Sequence, residues 1–311
     1  MLLPGLTLGE GLARLRSLRM VTPAGQTFSA GVTVWDPLTE PGTAVASADA
    51  ALYRAKRAGR DRVLAHGDVP TESDGRPAWA PFTMVMQPVV NVATGAVVGH
   101  EALARFTGVE SDVAAVFRCA HSDGYGDLLE AAAVVAALGV PHRPAGQDLY
   151  VNASAAALSS DRFWAELPAR LDGLVVELTE DKEHIDPVTL VTAVSRLRSR
   201  GARIALDDLG AGVGEFYRMA ALRPDIVKVD RSLVDGCANH PGRSAVLRAL
   251  VAYSRDLGAV VCAEGVEDAA DFHHLAEVGV TSAQGYLLCR PGPPWQTRVT
   301  RVPRLEAALN V

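Results

Sequence analysis

Gly173-Leu174-Val175-Val176-Glu177-Leu178, then a helix-length stretch from Pro187 to Arg200, then Arg203-Ile204-Ala205-Leu206 running into Asp207-Asp208, is the part of this chain that decides its fold. Two short runs rich in Val, Ile and Leu flank a segment long enough to carry the chain back to its starting side. That is the pattern of a strand, a crossover helix and a second, parallel strand. Working outward, the same pattern recurs. Strand-like runs fall at 83–92, 97–105, 148–152, 173–178, 203–206, 225–229, 260–263 and 283–287, and most gaps from the second run onward are helix-length, as at 243–257. Such alternation over about 230 residues leaves an open α/β sheet or a barrel, and about eight strands favour the (β/α)8 barrel. Only Ala93-Thr94-Gly95-Ala96 separates the first two runs, so one of them is expected to be antiparallel. The expected fold class is α/β, a modified (β/α)8 barrel with one antiparallel strand.

Residues 67–81 are rich in Pro, Gly and polar side chains, the composition of a linker. Ahead of them lie a helix pattern at Leu8–Leu18, a strand pattern at Thr27–Val34 and a helix pattern at Ala46–Ala58. The expected organisation is a small α+β fragment at 1–66, a linker at 67–81 and the barrel at 82–311.

The chain has 311 residues, 49% of them hydrophobic and 21% charged, enough apolar material for a large core and the wrong balance for disorder. Its formal charge of -6 argues against binding long nucleic acid, which needs a basic surface, but leaves room for a small phosphate ligand held by cations. The four cysteines, Cys119, Cys237, Cys262 and Cys289, are scattered without zinc-ligand spacing and read as reduced thiols. The first residues lack the charged and apolar regions of a signal peptide, and the apolar run Ala131–Val140 is too short for a bilayer. A soluble, cytoplasmic protein with no membrane contact is expected.

The functional signal is what ends each strand. Glu101 follows Val97-Val98-Gly99-His100, Asn152 follows Leu149-Tyr150-Val151, and Glu177 follows Leu174-Val175-Val176, with Glu180 one turn on. Asp207 and Asp208 follow Ile204-Ala205-Leu206; Lys228, Glu264 and Gln284 close the later runs. In a barrel the C-terminal strand ends converge on one face, where the chemistry of the fold sits. Any one acid there reads equally well as a helix cap or loop residue. Five carboxylates and an amide arriving by the same route do not, because clustered carboxylates repel unless cations neutralise them. Oxygen ligands without His or Cys select hard ions such as Mg2+ or Mn2+. The Asp207-Asp208 pair suits two such ions, the arrangement that activates water and stabilises the leaving oxygen of a phosphodiester.

Glu101-Ala102-Leu103-Ala104-Arg105 resembles the signature that names the EAL domains. Gln87-Pro88-Val89, Val151-Asn152-Ala153-Ser154, Glu177-Leu178-Thr179-Glu180, Asp207-Asp208-Leu209-Gly210, Lys228-Val229-Asp230, Glu264-Gly265-Val266-Glu267 and Gln284-Gly285-Tyr286 follow in that family's order, over roughly residues 83–293. The resemblance implies a TIM-like barrel that linearises cyclic di-GMP to pGpG with two Mg2+ or Mn2+ ions, commonly as a homodimer. It places Glu101, Asn152, Glu177 and Asp207 on one ion and Asp207, Asp208 and Glu264 on the other. Lys228 sits by the attacking water with Gln284 nearby, making Lys228, Glu264 and Asp208 the catalytic set. Arg105 and Gln87 join Gln284 on the substrate, and Glu180 anchors the loop after Asp208.

That loop departs from the family. It reads Asp207-Asp208-Leu209-Gly210-Ala211-Gly212-Val213-Gly214-Glu215 where the family has Asp-Asp-Phe-Gly-Thr-Gly-Tyr-Ser-Ser, and Glu215 adds an acid beside an anionic substrate. The stretch after Arg105 also lacks the family's histidine–proline and glycine-rich loop. No expected metal ligand is lost. A catalytically weak cyclic di-GMP receptor is the alternative, and a two-carboxylate sugar hydrolase fits poorly because it needs neither the Asp-Asp pair nor Lys228. Finally, Ala48–Val63 resembles the end of a GGDEF (diguanylate cyclase) domain, whose signature loop would sit just before Met1.

Overall fold

A computed structural model describes residues 2–20, 27–38, 40–57, 60–66, 79, 81–107, 113–122, 124–178, 187–210, 214–297 and 299. The chain divides into two compact units, Met1–Pro81 with Phe106–Leu129, and Phe82–Arg105 with Glu130–Val311.

In the first unit, α1 (Leu8–Met20) starts from a capping box: Glu10 Oε2 accepts the Thr7 amide at 2.8 Å while Thr7 Oγ1 accepts the Glu10 amide at 3.3 Å. Strand β1 (Ala30–Val32) pairs in parallel with β2 (Val63–Ala65), and α2 (Pro41–Arg57) connects them. Pro41 at the first helical position starts α2 earlier than the apolar pattern predicted. The helix lies so close to β1 that a Cβ on Gly31 would stand 2.0 Å from the Ala48 carbonyl oxygen. Helix α3 (Val113–Ser122) sets Phe117 edge-on to Phe106, their ring centres 5.7 Å apart.

The second unit is a closed eight-stranded barrel, as the alternation predicted. Its strands are β3 (Phe82–Asn91), β4 (Val97–Phe106), β5 (Asp148–Ala153), β6 (Leu174–Leu178), β7 (Arg203–Leu209), β8 (Ile226–Val229), β9 (Val260–Ala263) and β10 (Ser282–Ala283), closing in the order β10-β3-β4-β5-β6-β7-β8-β9. The antiparallel member is β3, which runs against β10 with Ala283 opposite Val90; β4 to β10 are parallel in the pairings Glu101–Tyr150, Asn152–Glu177, Val227–Val261 and Ala283–Ala263. Around them run α4 (Gly126–Leu138), the short α5 (Ala155–Leu158) and α6 (Asp161–Glu166), α7 (Pro187–Ser199), α8 (Gly214–Leu222), the short α9 (Arg231–Val234), α10 (Pro241–Asp256) and α11 (Ala269–Glu277).

Period-two alternation sorts each strand between two cores. Leu149, Val151, Leu174, Val176, Ile204, Leu206, Val227 and Val261 face outward and are buried with helical residues such as Leu197, Leu247 and Leu275. Each such side chain contributes about 1.5–3 kcal/mol on burial. The intervening residues Val89, Tyr150, Val175, Ala205, Ile226 and Cys262 form a separate cluster. One expectation needs correction: the last strand was expected to reach Leu287, but it ends at Ala283. Gln284 then pairs with the loop after β9, its carbonyl accepting the Val266 amide at 3.0 Å, and the Leu287 amide returns to Val266. A Cβ on Gly285 would lie 2.1 Å from the Val266 carbonyl oxygen, so only glycine lets the chain turn there.

Candidate functional site

The site is the layer directly above that inner cluster. Glu101, Asn152, Glu177, Asp207, Lys228 and Glu264 each lie two positions after a residue of the lower layer: Gly99, Tyr150, Val175, Ala205, Ile226 and Cys262. Gln87 lies two before Val89, because β3 runs the other way. Since side chains two apart on a strand share a face, the apolar layer below carries a polar layer on top. Gly99 belongs to this design, since a Cβ there would stand 2.7 Å from the Tyr150 ring.

Lys228, 1% exposed, stands at the centre. Its Nζ lies 2.5 Å from Glu264, 2.6 Å from Glu177, 3.3 Å from Asp207 and 3.7 Å from Glu101. Asn152 Nδ2 donates to Glu101 Oε1 at 3.3 Å. Gln284 Nε2 donates to Glu101 Oε2 and, at 3.0 Å, to Gln87 Oε1, while Gln87 Nε2 reaches the Cys289 carbonyl at 3.1 Å.

Asp207 and Asp208 reach the same place by a different device. On a regular strand, neighbours point to opposite faces. Here β7 takes three steps from Leu206 to Leu209 while β8 takes two from Val227 to Val229, so the pair occupies a bulge. Asp208 sits at φ +57°, a left-handed conformation that brings its carboxylate round to its neighbour's side. Asp207, Asp208 and Glu264 consequently offer oxygens all within 4.8 Å of one another.

The electrostatics are those of a cation site. Burial, and then the negative charge of Glu101, push the Glu177 carboxyl well above the carboxylate range. Burial lifts Glu264 to about 8 despite Lys228. At Glu101 burial is outweighed by Lys228 and the hydrogen bonds from Gln284 and Asn152, so its pKa falls. Lys228 is also deeply buried, but the surrounding acids raise it well above its ordinary value. Glu177 Oε2 is buried with no hydrogen-bond partner. Five carboxylates against one ammonium leave a formal charge of -4, which two divalent ions would balance with oxygen ligands throughout.

Not every expected residue joins the cluster. Arg105 is exposed at the end of β4, its guanidinium donating to the Ala104 carbonyl at 2.9 Å. Asp230, which also ends a strand, caps α9 by accepting the Ser232 amide at 2.9 Å. Glu180 lies outside the described residues, as do Ala211 to Val213 and most of 67–81. Glu215 was expected to be awkward beside an anion, but it is buried and accepts the Gly210 amide at 2.9 Å. No sequence signal marks that contact, nor the part played by Gly99 or the Cys289 carbonyl.

Comparison with known proteins gives a consistent result. The EAL domain family profile matches residues 80–291. The chain is similar to a cyclic di-GMP phosphodiesterase, PA2567 of Pseudomonas aeruginosa, with 30% identity over 69% of this chain and 39% of that protein. It is also similar to the structure of a standalone EAL protein from Vibrio cholerae bound to cyclic di-GMP, with 26% identity, TM-score 0.59, and coverage of 72% of this chain and 97% of that one. A manganese and cyclic di-GMP complex of BlrP1 from Klebsiella pneumoniae matches at 28% identity, TM-score 0.56, over 68% of this chain and 56% of that one. The chain spans about a third of the length of the curated relatives first matched, at 31% and 29%.

Proposed function

This chain belongs to the EAL domain family, and from that premise we propose that it hydrolyses one phosphodiester bond of cyclic di-GMP to give linear pGpG. The observation that carries the reading is the convergence of five carboxylates, one amide and one buried lysine on a single barrel face, with an excess of negative charge that divalent cations would neutralise. Glu101, Asn152, Glu177 and Asp207 would hold one ion, and Asp207, Asp208 and Glu264 the other. Bound ions would lower the pKa of a water and offset charge on the phosphate. The oxygen-only set favours Mg2+ or Mn2+ over Zn2+.

The chain's own residues do the rest. Lys228, held protonated by its neighbours, orients the attacking water and supplies positive charge beside the reacting phosphate. The water gives up a proton as its oxygen bonds to phosphorus, the bond from phosphorus to ribose O3′ breaks, and O3′ takes up a proton in return, so that one water is consumed. Gln284, clamped by Gln87 and Glu101, keeps the rim of the site in register. Arg105, exposed at the strand end, is free to swing to a phosphate or base.

The reading extends to the rest of the molecule. Residues 1–66, which include the GGDEF-like stretch Ala48–Val63, take no part in the hydrolysis, which belongs to the barrel after 67–81. Val188 and Val191 on α7 and Phe216 and Tyr217 on α8 are exposed apolar residues that suit a homodimer face. No helix among the described residues is long and apolar enough to cross a membrane, which fits a cytoplasmic site of action. The test is incubation of the purified chain with cyclic di-GMP and Mn2+, following pGpG by chromatography. Product that disappears in EDTA supports the reading; tight cyclic di-GMP binding without product in Mg2+ or Mn2+ establishes the receptor alternative instead.

A further inference from the structure

Glu215 is a buried acid outside the ligand set, close in sequence to the bulge that brings Asp207 and Asp208 together. The entrance of that bulge is fixed by the pairing of Leu206 with Val227. Past it, Leu209 pairs with Val229, and its carbonyl accepts the Asp230 amide at 3.0 Å. The next amide, that of Gly210, donates instead to Glu215 Oε2 at 2.9 Å. Leu233 closes in beside the same residue, where a Cβ on Gly210 would meet its Cδ1 at 2.7 Å. Glu215 itself lies in the first turn of α8, where helix amides favour a carboxylate.

We propose that Glu215 is a positioning residue for the metal centre. By accepting the Gly210 amide it fixes the exit of the bulge, and so helps hold Asp208 in a left-handed conformation, which aspartate tolerates better than most side chains but does not prefer over extended backbone. The extra acid is thereby turned onto the backbone and away from an anionic substrate. Its task depends on reach and on an acceptor oxygen, not on charge. The inference rests on reading the acid cluster as a metal centre.

The test is Mn2+ titration of the full chain, with free ion followed by electron paramagnetic resonance, on wild type, Glu215→Gln, Glu215→Asp and Glu215→Ala, each checked by thermal melting. Gln keeps an acceptor at the same reach and regains affinity close to wild type. Asp keeps the charge but withdraws it by one methylene, and falls with Ala by about 10–100-fold, the usual cost of losing an outer partner of a metal ligand. Should Ala fail to fold, the comparison of Gln with Asp decides. Equal affinity in all variants overturns the proposal, as does a pattern in which Asp holds and Gln falls, which would make charge the agent. If the affinities follow the expected order while wild type makes no pGpG, the phosphodiesterase reading fails and the positioning role stands. If wild type makes pGpG while the affinities stay unchanged across the variants, the positioning role fails and the phosphodiesterase reading stands.

Discussion

Raising the pH of the metal-free protein should loosen the barrel, and the structure says by how much. Burial holds the Glu264 carboxyl at about 8 in the fold, against 4.5 for an ordinary glutamate. Between those values the folded chain keeps a proton that the unfolded chain has lost, so stability falls as pH rises through the window and levels off above about 8. The full gap corresponds to about 5 kcal/mol; structural relaxation and water entry reduce it to roughly 2–5 kcal/mol. Glu177, raised by burial and by Glu101, acts in the same direction. Lys228 is held above its ordinary value by the acids, so its contribution is complete below 10.5 and constant across this window. Glu101 is lowered, so its contribution is complete above 4.5 and also constant. His100 opposes the trend: burial lowers its pKa, so its contribution grows as pH rises towards 6.5. The difference between wild type and Glu264→Gln therefore isolates the carboxyl. In EDTA, wild type should lose roughly 4–20 °C of Tm relative to Glu264→Gln between pH 5 and 8.5, taking about 2–4 °C per kcal/mol for a domain of this size. Calorimetry at several pH values measures it. Parallel curves for the two proteins would refute the account of the cluster as a strained pocket of uncompensated charge. Saturating Mn2+ should raise the wild-type curve most at high pH, where protons no longer compete for the ligands.

Three further outcomes follow from the same geometry. Lys228→Met should lower pGpG formation at least a hundredfold with little change in cyclic di-GMP affinity, because the lysine serves the water and the transition state more than the resting substrate; equal losses in turnover and binding, measured by kinetics and calorimetry, would contradict that role. Gly285→Ala drives a methyl to within 2.2 Å of the Val266 backbone, so it should cost over about 2 kcal/mol in denaturant unfolding and weaken Mn2+ binding by displacing Gln284; a neutral variant would place the turn elsewhere. Cys262 is buried and its thiol pushed up to about 12, whereas Cys119 is exposed, so iodoacetamide at pH 8 with mass spectrometry should modify Cys119 and spare Cys262 in the folded protein.

Much of this was legible in the chain itself. Alternation of short aliphatic runs with helix-length gaps is a local pattern, and the short turn at 93–96 marked an antiparallel strand, which proved to be β3. The polar residue ending each run was visible for the same reason, because a strand that buries both faces is apolar until it emerges. Reading Leu287 as strand failed because Tyr286, Leu287 and Leu288 keep the run apolar while the chain turns, and Gly285 alone records the backbone of Val266 pressing on it.

The sequence by itself determined the α/β class, the eight strand-like runs that favour a barrel, and the identity of the acids and the lysine at the strand ends, since those follow from periodicity within single segments. Only the tertiary structure decided which of them meet. Lys228 gathers Glu101, Glu177, Asp207 and Glu264 because barrel closure brings four strands from distant parts of the chain into one ring. Asp207 and Asp208 share a face because β7 carries one residue more than β8 across the bulge, a mismatch between strands that neither strand's own sequence reveals. Glu215, in the first turn of α8, meets the Gly210 amide five residues back, a contact that no apolar periodicity records. Convergence depends on register and closure between distant segments, which local periodicity does not encode.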